Sequence, residues 1–170
     1  LPDVEVKTLD GQKISIKEFA TDPCRTLFQK VKSYFMAPAL TDNGNISVIT
    51  YGDEVLATSE TPLPIIFDKE TLETIGQVEF QDDLEGQIEP AHPHYDRQGN
   101  VYNYLLKYGL KSKYQLFRMN SKTKKREIIA IIEAPNPSYM HSMAMTENYI
   151  ILTEFPKIVN PFELKFGDKP

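Results

Sequence analysis

Hydrophobic positions in this chain recur mostly with a period of two. NISVITY (residues 45–51) and EVLATSE (54–60) are β-branched runs joined through Gly52 and Asp53, a strong hairpin pattern. LPIIFD (63–68), NVYNYLLKYG (100–109), KYQLFRM (113–119), REIIAIIEA (126–134) and NYIILTEF (148–155) continue the series. Short polar links such as DRQGN, NSKTKK and TEN separate the runs, so the pattern predicts antiparallel meanders. There is no glycine-rich phosphate loop and no strand–helix alternation, which excludes a nucleotide-binding α/β fold. The chain reads as mostly β.

Sandwich, closed barrel and part of a propeller all satisfy that pattern. Two segments favour the propeller. ETPLPIIFDKETLETIGQVEF (60–80) runs strand, turn, strand, and YQLFRMNSKTKKREIIAIIE (114–133) repeats the layout in a different sequence. The whole chain, residues 1–170, is then one partial propeller domain.

One stretch breaks the period. In residues 24–38, Leu27, Phe28, Val31, Tyr34 and Phe35 recur at helical spacing, with Arg25, Lys30 and Lys32 on the remainder. Asp22 and Pro23 suit the start of a short amphipathic helix and Pro38 its end. The helix either packs on the sheet or lies on a membrane surface.

Composition narrows the partners. The 170 residues are 41% hydrophobic and 25% charged, as in a soluble globular domain with a real core. A net charge of −5 argues against general nucleic-acid binding. Cys24 is the only cysteine, so no intrachain disulfide forms and a reducing, cytoplasmic setting is expected. LPDVEVKTLDG at the start lacks the pattern of a secretory signal, and no apolar run approaches the roughly 18–20 residues of a membrane span.

The candidate chemistry lies in the three histidines, His92, His94 and His141. His92 and His94 flank Pro93 in IEPAHPHY, and on an extended backbone their side chains would leave on the same side. A metal site needs neutral imidazoles converging from rigid elements, each with its second nitrogen held by a carboxylate or carbonyl. The residues alone leave open whether these histidines form such a site or lie on the surface.

Four stretches carry a resemblance. DPCRTLFQKVKSYF, LTDNGNISVITYGDEVLATSETPLPIIFDKETLETIGQV, AHPHYDRQGNVYNY and PSYMHSMAMTENYIILTEFP stand in the order of the animal branch of the carotenoid cleavage oxygenase family. The resemblance covers the chain from about residue 18 to residue 156. It implies a seven-bladed propeller with a ferrous iron held by four histidines on its axis. It implies that His92, first in AHPH, and His141, in the Y-x-H-S motif, are two of the ligands, with His94 beside the site. It also implies that Glu60, in TSET, hydrogen-bonds His141 and orients it. The animal branch includes carotene-cleaving dioxygenases and a retinoid isomerohydrolase, and TSET, with Ser59 before the glutamate, resembles the carotene-cleaving members more. The DPC segment resembles a membrane-facing stretch at the mouth of a substrate tunnel. By that likeness Cys24, Leu27, Phe28, Val31 and Phe35, within residues 24–36, face a membrane, and Cys24 is either a site of reversible acylation or an inert thiol.

The implied activity is oxidative cleavage of a conjugated double bond of a carotenoid or apocarotenoid by iron and dioxygen, giving aldehydes. The chain departs from the family in length and in ligands, since only His92 and His141 fall on ligand motifs. It therefore reads as an internal segment of such a dioxygenase and as inactive by itself. The alternative is a truncated, non-catalytic homologue that binds an apolar pigment or has a structural role. Open propeller edges favour self-association in either case.

Overall fold

The computed structural model describes residues 44–160, together with the backbone of two short strands before them. The predicted helix of residues 24–36, with Cys24, Leu27, Phe28, Val31 and Phe35, lies outside the described residues. The early strands β1 (Val4–Lys7) and β2 (Lys13–Ile16) pair antiparallel.

Residues 44–160 form two four-stranded meanders and a hairpin. The first sheet is β3 (Ser47–Tyr51), β4 (Glu54–Thr58), β5 (Ile65–Phe67) and β6 (Thr74–Gln77), hydrogen-bonded in chain order. The second is β7 (His94–Tyr95), β8 (Asn100–Lys107), β9 (Lys113–Asn120) and β10 (Lys125–Glu133), also in chain order. A two-residue pair, β11 (Ala144–Met145) and β12 (Ile150–Ile151), follows. All pairings are antiparallel. NYIILTEF thus supplies a strand of two residues rather than a long one.

Local chemistry explains the turns. Gly52, at φ 63°, closes the two-residue loop in which Tyr51 faces Glu54. In the β5–β6 loop, Asp68 Oδ1 accepts from the amides of Glu70 and Thr71 at 2.8 Å each, and Leu72 turns left-handed at φ 62°. In the β9–β10 loop Asn120 Oδ1 accepts from Lys122 and Thr123, and Lys124 turns at φ 52°. The repeat seen in the two sequences is therefore a repeat of structure. The turn into each four-stranded sheet's last strand is built the same way.

The second sheet is the central layer. Val101, Leu105, Phe117 and Met119 pack with Tyr51, Leu56 and Val78 of the first sheet and its exit. On the opposite face Tyr104, Leu106, Tyr114 and Leu116 pack with Ala134, Met140 and Met143. Burial on both faces is why β8 reads as a nearly continuous apolar run.

The link from β6 to β7, residues 78–93, crosses this central layer and delivers His92. Asp82 anchors it to β10. Its carboxylate accepts from Arg126 Nη2 at 2.8 Å and from the Arg126 amide at 2.7 Å, with both side chains buried. The guanidinium also lies 3.9 Å over the Phe80 ring. Burial raises the Asp82 carboxyl, but the Arg126 hydrogen bonds outweigh it and hold the group below its ordinary range. Farther on, the Gln115 side chain donates to the Glu85 carbonyl at 2.8 Å, and Gln87 and Leu106 bond through their backbones. Gly86 allows that close approach: a Cβ there would stand 2.8 Å from Leu105 Cβ.

Candidate metal centre

His92 and His141 occupy equivalent places in successive sheets. His92 is two residues before β7 and His141 three residues before β11. Their Nε2 atoms face each other at 3.1 Å, with ring centroids 4.7 Å apart and planes inclined by 64°. Two residues farther along each segment, His94 Nε2 donates to the Met143 carbonyl at 2.8 Å. His94 is thus a tie between the two segments, placed beside the pair. His92 and His94 both reach this neighbouring segment, His92 toward His141 and His94 toward the Met143 carbonyl, and no contact between the two is seen.

The His141 segment rests on buried tyrosines of the central sheet. Tyr104 donates to the Met140 carbonyl at 2.7 Å, and the Ser138 amide donates to the Tyr114 hydroxyl at 2.7 Å. The two tyrosine rings meet edge to face at 5.7 Å. Burial raises the Tyr104 hydroxyl well above its ordinary range, so it stays a donor at any ordinary pH.

Glu60, two residues past β4, completes the group from the first sheet. Its Oε1 lies 2.8 Å from His141 Nδ1. The Tyr139 hydroxyl donates to the same oxygen and lies 3.1 Å from His141 Nδ1. Burial, together with the bond and charge of Glu60, pushes the Tyr139 hydroxyl up to about 12. Tyr139 therefore keeps its proton and donates a hydrogen bond with it to Glu60. That assignment leaves His141 to donate from Nδ1 as well, since a carboxylate only accepts. The lone pair of His141 is then on Nε2, facing His92.

These residues fit a metal ion. Two imidazole nitrogens at right angles on one first-row ion, each at about 2.1 Å, stand about 3.0 Å apart. The observed 3.1 Å fits that separation, and it is also the length of a hydrogen bond from His92 Nε2–H to the His141 lone pair. The carboxylate on the far nitrogen of His141 is the usual device for fixing a ligand's tautomer. Among the described residues no group of three or more His, Cys, Asp or Glu side chains is placed to hold a metal ion, so the pair is an incomplete coordination set. The His141 side chain is 48% exposed, which leaves that side of the pair open.

Two further residues, one in the site and one in the link that leads to His92, escaped the sequence. Tyr139 is one, although its position two residues before His141 in YMH was a usable signal. Glu89 is the other. It is 5% exposed, next to a small cavity it lines with Tyr51, Ser59, Thr61 and Pro93, with room for about one water. Asn103 donates to Glu89 Oε1 at 3.3 Å, while Glu89 Oε2 and Asn103 Oδ1 are buried without partners. Desolvation pushes the Glu89 carboxyl up to about 7 against the pull of Arg126 and Asn103.

Comparisons with known proteins bear on the same segment. The model of the retinal pigment epithelial membrane protein family matches residues 11–169. Beta,beta-carotene 15,15'-dioxygenase of Gallus gallus is 35% identical, over 87% of this chain and 32% of that protein. The mitochondrial carotenoid-cleaving dioxygenase of Mustela putorius furo is 35% identical, over 89% of this chain and 31% of its own length. Among solved structures, lignostilbene dioxygenase of Pseudomonas brassicacearum superposes with a TM-score of 0.59 at 28% identity, over 75% of this chain and 28% of that one. Cobalt-substituted apocarotenoid oxygenase of Synechocystis gives a TM-score of 0.55 at 25% identity, over 71% and 26%. The chain spans about a third of the length of the curated relatives it matches.

Proposed function

Because the chain belongs to the retinal pigment epithelial membrane protein family of carotenoid oxygenases, we propose that it is a segment of a non-haem iron dioxygenase. In this reading the whole protein cleaves a conjugated double bond of a carotenoid or apocarotenoid, and each resulting aldehyde takes one oxygen atom of dioxygen. The observation that carries it is the 3.1 Å approach of His92 Nε2 and His141 Nε2, with Glu60 on the far nitrogen of His141.

His92 and His141 would hold two positions of a ferrous ion. When bound, ferrous iron supplies a redox-active centre with open positions for dioxygen. The chain's own residues set the stage for that chemistry. Glu60 keeps the Nδ1 proton on His141 and so keeps Nε2 free to ligate. His94 holds the two ligand segments together through the Met143 carbonyl. The other two histidines of the set, and the remaining blades of a seven-bladed propeller, belong to parts of the protein beyond this segment.

The substrate class also gives residues 24–36 a purpose. A polyene partitions into membranes, and Leu27, Phe28, Val31 and Phe35 beside Arg25, Lys30 and Lys32 suit a surface that meets anionic lipid. Among the described residues no helix is long and apolar enough to cross a membrane.

Anaerobic titration of the 170-residue chain with Fe²⁺ tests the reading. One ion per chain is expected, weakly held, with binding lost in His92→Ala and in His141→Ala and kept in His94→Ala. A folded chain that takes up no iron, or that binds it equally well without His92, would overturn the proposal in favour of a non-catalytic homologue.

A further inference from the structure

Glu60 alone is a poor clamp for His141. Its side chain is 24% exposed and carries three rotatable bonds, so holding it in one orientation opposes considerable entropy. Nothing in the backbone of the β4 exit fixes the carboxylate itself. Its fixed point is Tyr139, whose position is well determined. The Tyr139 amide donates to the Lys157 carbonyl at 2.9 Å, the Lys157 ammonium lies 5.2 Å from its ring, and its neighbours Ser138 and Met140 are bonded to Tyr114 and Tyr104.

We propose that Tyr139 is a positioning residue for the metal centre, acting through Glu60. Its hydroxyl, Glu60 Oε1 and His141 Nδ1 form a closed triangle, with sides of 2.8 Å from Glu60 to His141 and 3.1 Å from Tyr139 to His141. The proton directions in that triangle are determined. Tyr139 has one proton and points it at Glu60, so Tyr139 cannot also donate to His141 Nδ1. The His141 proton must therefore sit on Nδ1, pointing at the carboxylate. Without the hydroxyl, Glu60 is free to turn to solvent, and His141 is free to move its proton to Nε2. A proton on Nε2 blocks the only nitrogen that faces His92. The hydroxyl of Tyr139 thus decides whether His141 is ready to ligate before any metal arrives.

This inference rests on the metal-centre reading for its purpose, yet its first test needs no metal. The tautomers of His141 and His94 are read from ring ¹⁵N shifts of the 170-residue chain at about pH 8.5, where imidazole is ordinarily neutral. The expected result is His141 protonated at Nδ1 and His94 at Nε2, with the Tyr139 hydroxyl proton exchanging slowly and shifted downfield. Tyr139→Phe should then give His141 a mixture of both tautomers, while the unchanged His94 signals show that the fold is intact. In a Co²⁺ titration the same variant should lose roughly tenfold in affinity. In a Glu60→Gln background, Tyr139→Phe should lose nothing more.

An unchanged His141 tautomer in Tyr139→Phe would overturn the proposal. So would an equal loss from Tyr139→Phe with and without Glu60, or the absence of a protected Tyr139 hydroxyl proton in the unmutated chain. The tautomer shift without any Co²⁺ uptake would uphold the role of Tyr139 and reject the metal-centre reading. Co²⁺ uptake with no response to Tyr139→Phe would do the reverse.

Discussion

A carboxylate that takes two donors at one oxygen, as Glu60 does from His141 and Tyr139, is doing more than capping a strand end. Replacing it by the isosteric amide removes the charge and puts a second donor near His141 Nδ1. Glu60→Gln is expected to weaken Co²⁺ or Fe²⁺ binding by about 10–100-fold, read by calorimetry. An unchanged affinity would remove Glu60 from the site. Glu89 makes a separate prediction, about stability. Its carboxyl is raised from 4.5 to about 7, chiefly by desolvation. Between those values the unfolded chain has released this proton and the folded chain still holds it, so stability falls as pH rises through the window. Above it, the burden on the fold is about 3 kcal/mol. Urea denaturation at several pH values should show that fall, and Glu89→Gln, which stays neutral, should flatten it. Of the residues involved, His92, His141 and Glu60 could be found from motifs because each sits in a distinctive short pattern. Tyr139 had only its place two residues before His141 to point to it, and Glu89 had no pattern at all, because a glutamate before a proline acquires its partners only when separate sheets close on one another.

The long strands followed directly from their apolar runs, β-branched in β3, β4 and β10 and nearly continuous in β8, and the hairpins followed from Gly52 and from the Asp68 and Asn120 turns. The strands that place the site did not. β7 and β11 have two residues each, too few to show any period, and their pairing is set by the sheets they join. The link over residues 78–93 is similarly invisible, because its order comes from Arg126, Gln115 and the backbone of Leu106. Gly86 is the point where that link and β8 come closest. A methyl group in Gly86→Ala meets Leu105 Cβ at 2.8 Å. The substitution should destabilise the chain by about 1–3 kcal/mol in thermal or urea unfolding. It should also weaken metal binding, since the displaced link carries His92. A variant with the stability and affinity of the parent would show that the link does not position the histidine.

Across the described molecule, three sheets each contribute to one cluster. Glu60 leaves the first, His92 enters the second, and Tyr139 with His141 enters the third. No sheet holds the site alone, so the pair of ring nitrogens reports on the docking of all three. The outer strand β10 leaves Ile129 and Ile131 about half exposed, and the chain spans about a third of its curated relatives. Both facts accord with the proposal of a segment of a longer protein. The most direct measurement counts the imidazoles on one bound metal ion. Cu²⁺, which binds nitrogen sites most tightly of the divalent first-row ions, suits the purpose in pulsed electron paramagnetic resonance of the 170-residue chain. Two imidazoles are expected at one ion per chain, unchanged in His94→Ala and reduced in either His92→Ala or His141→Ala. A single imidazole, or a pair that requires His94, would contradict the centre described here.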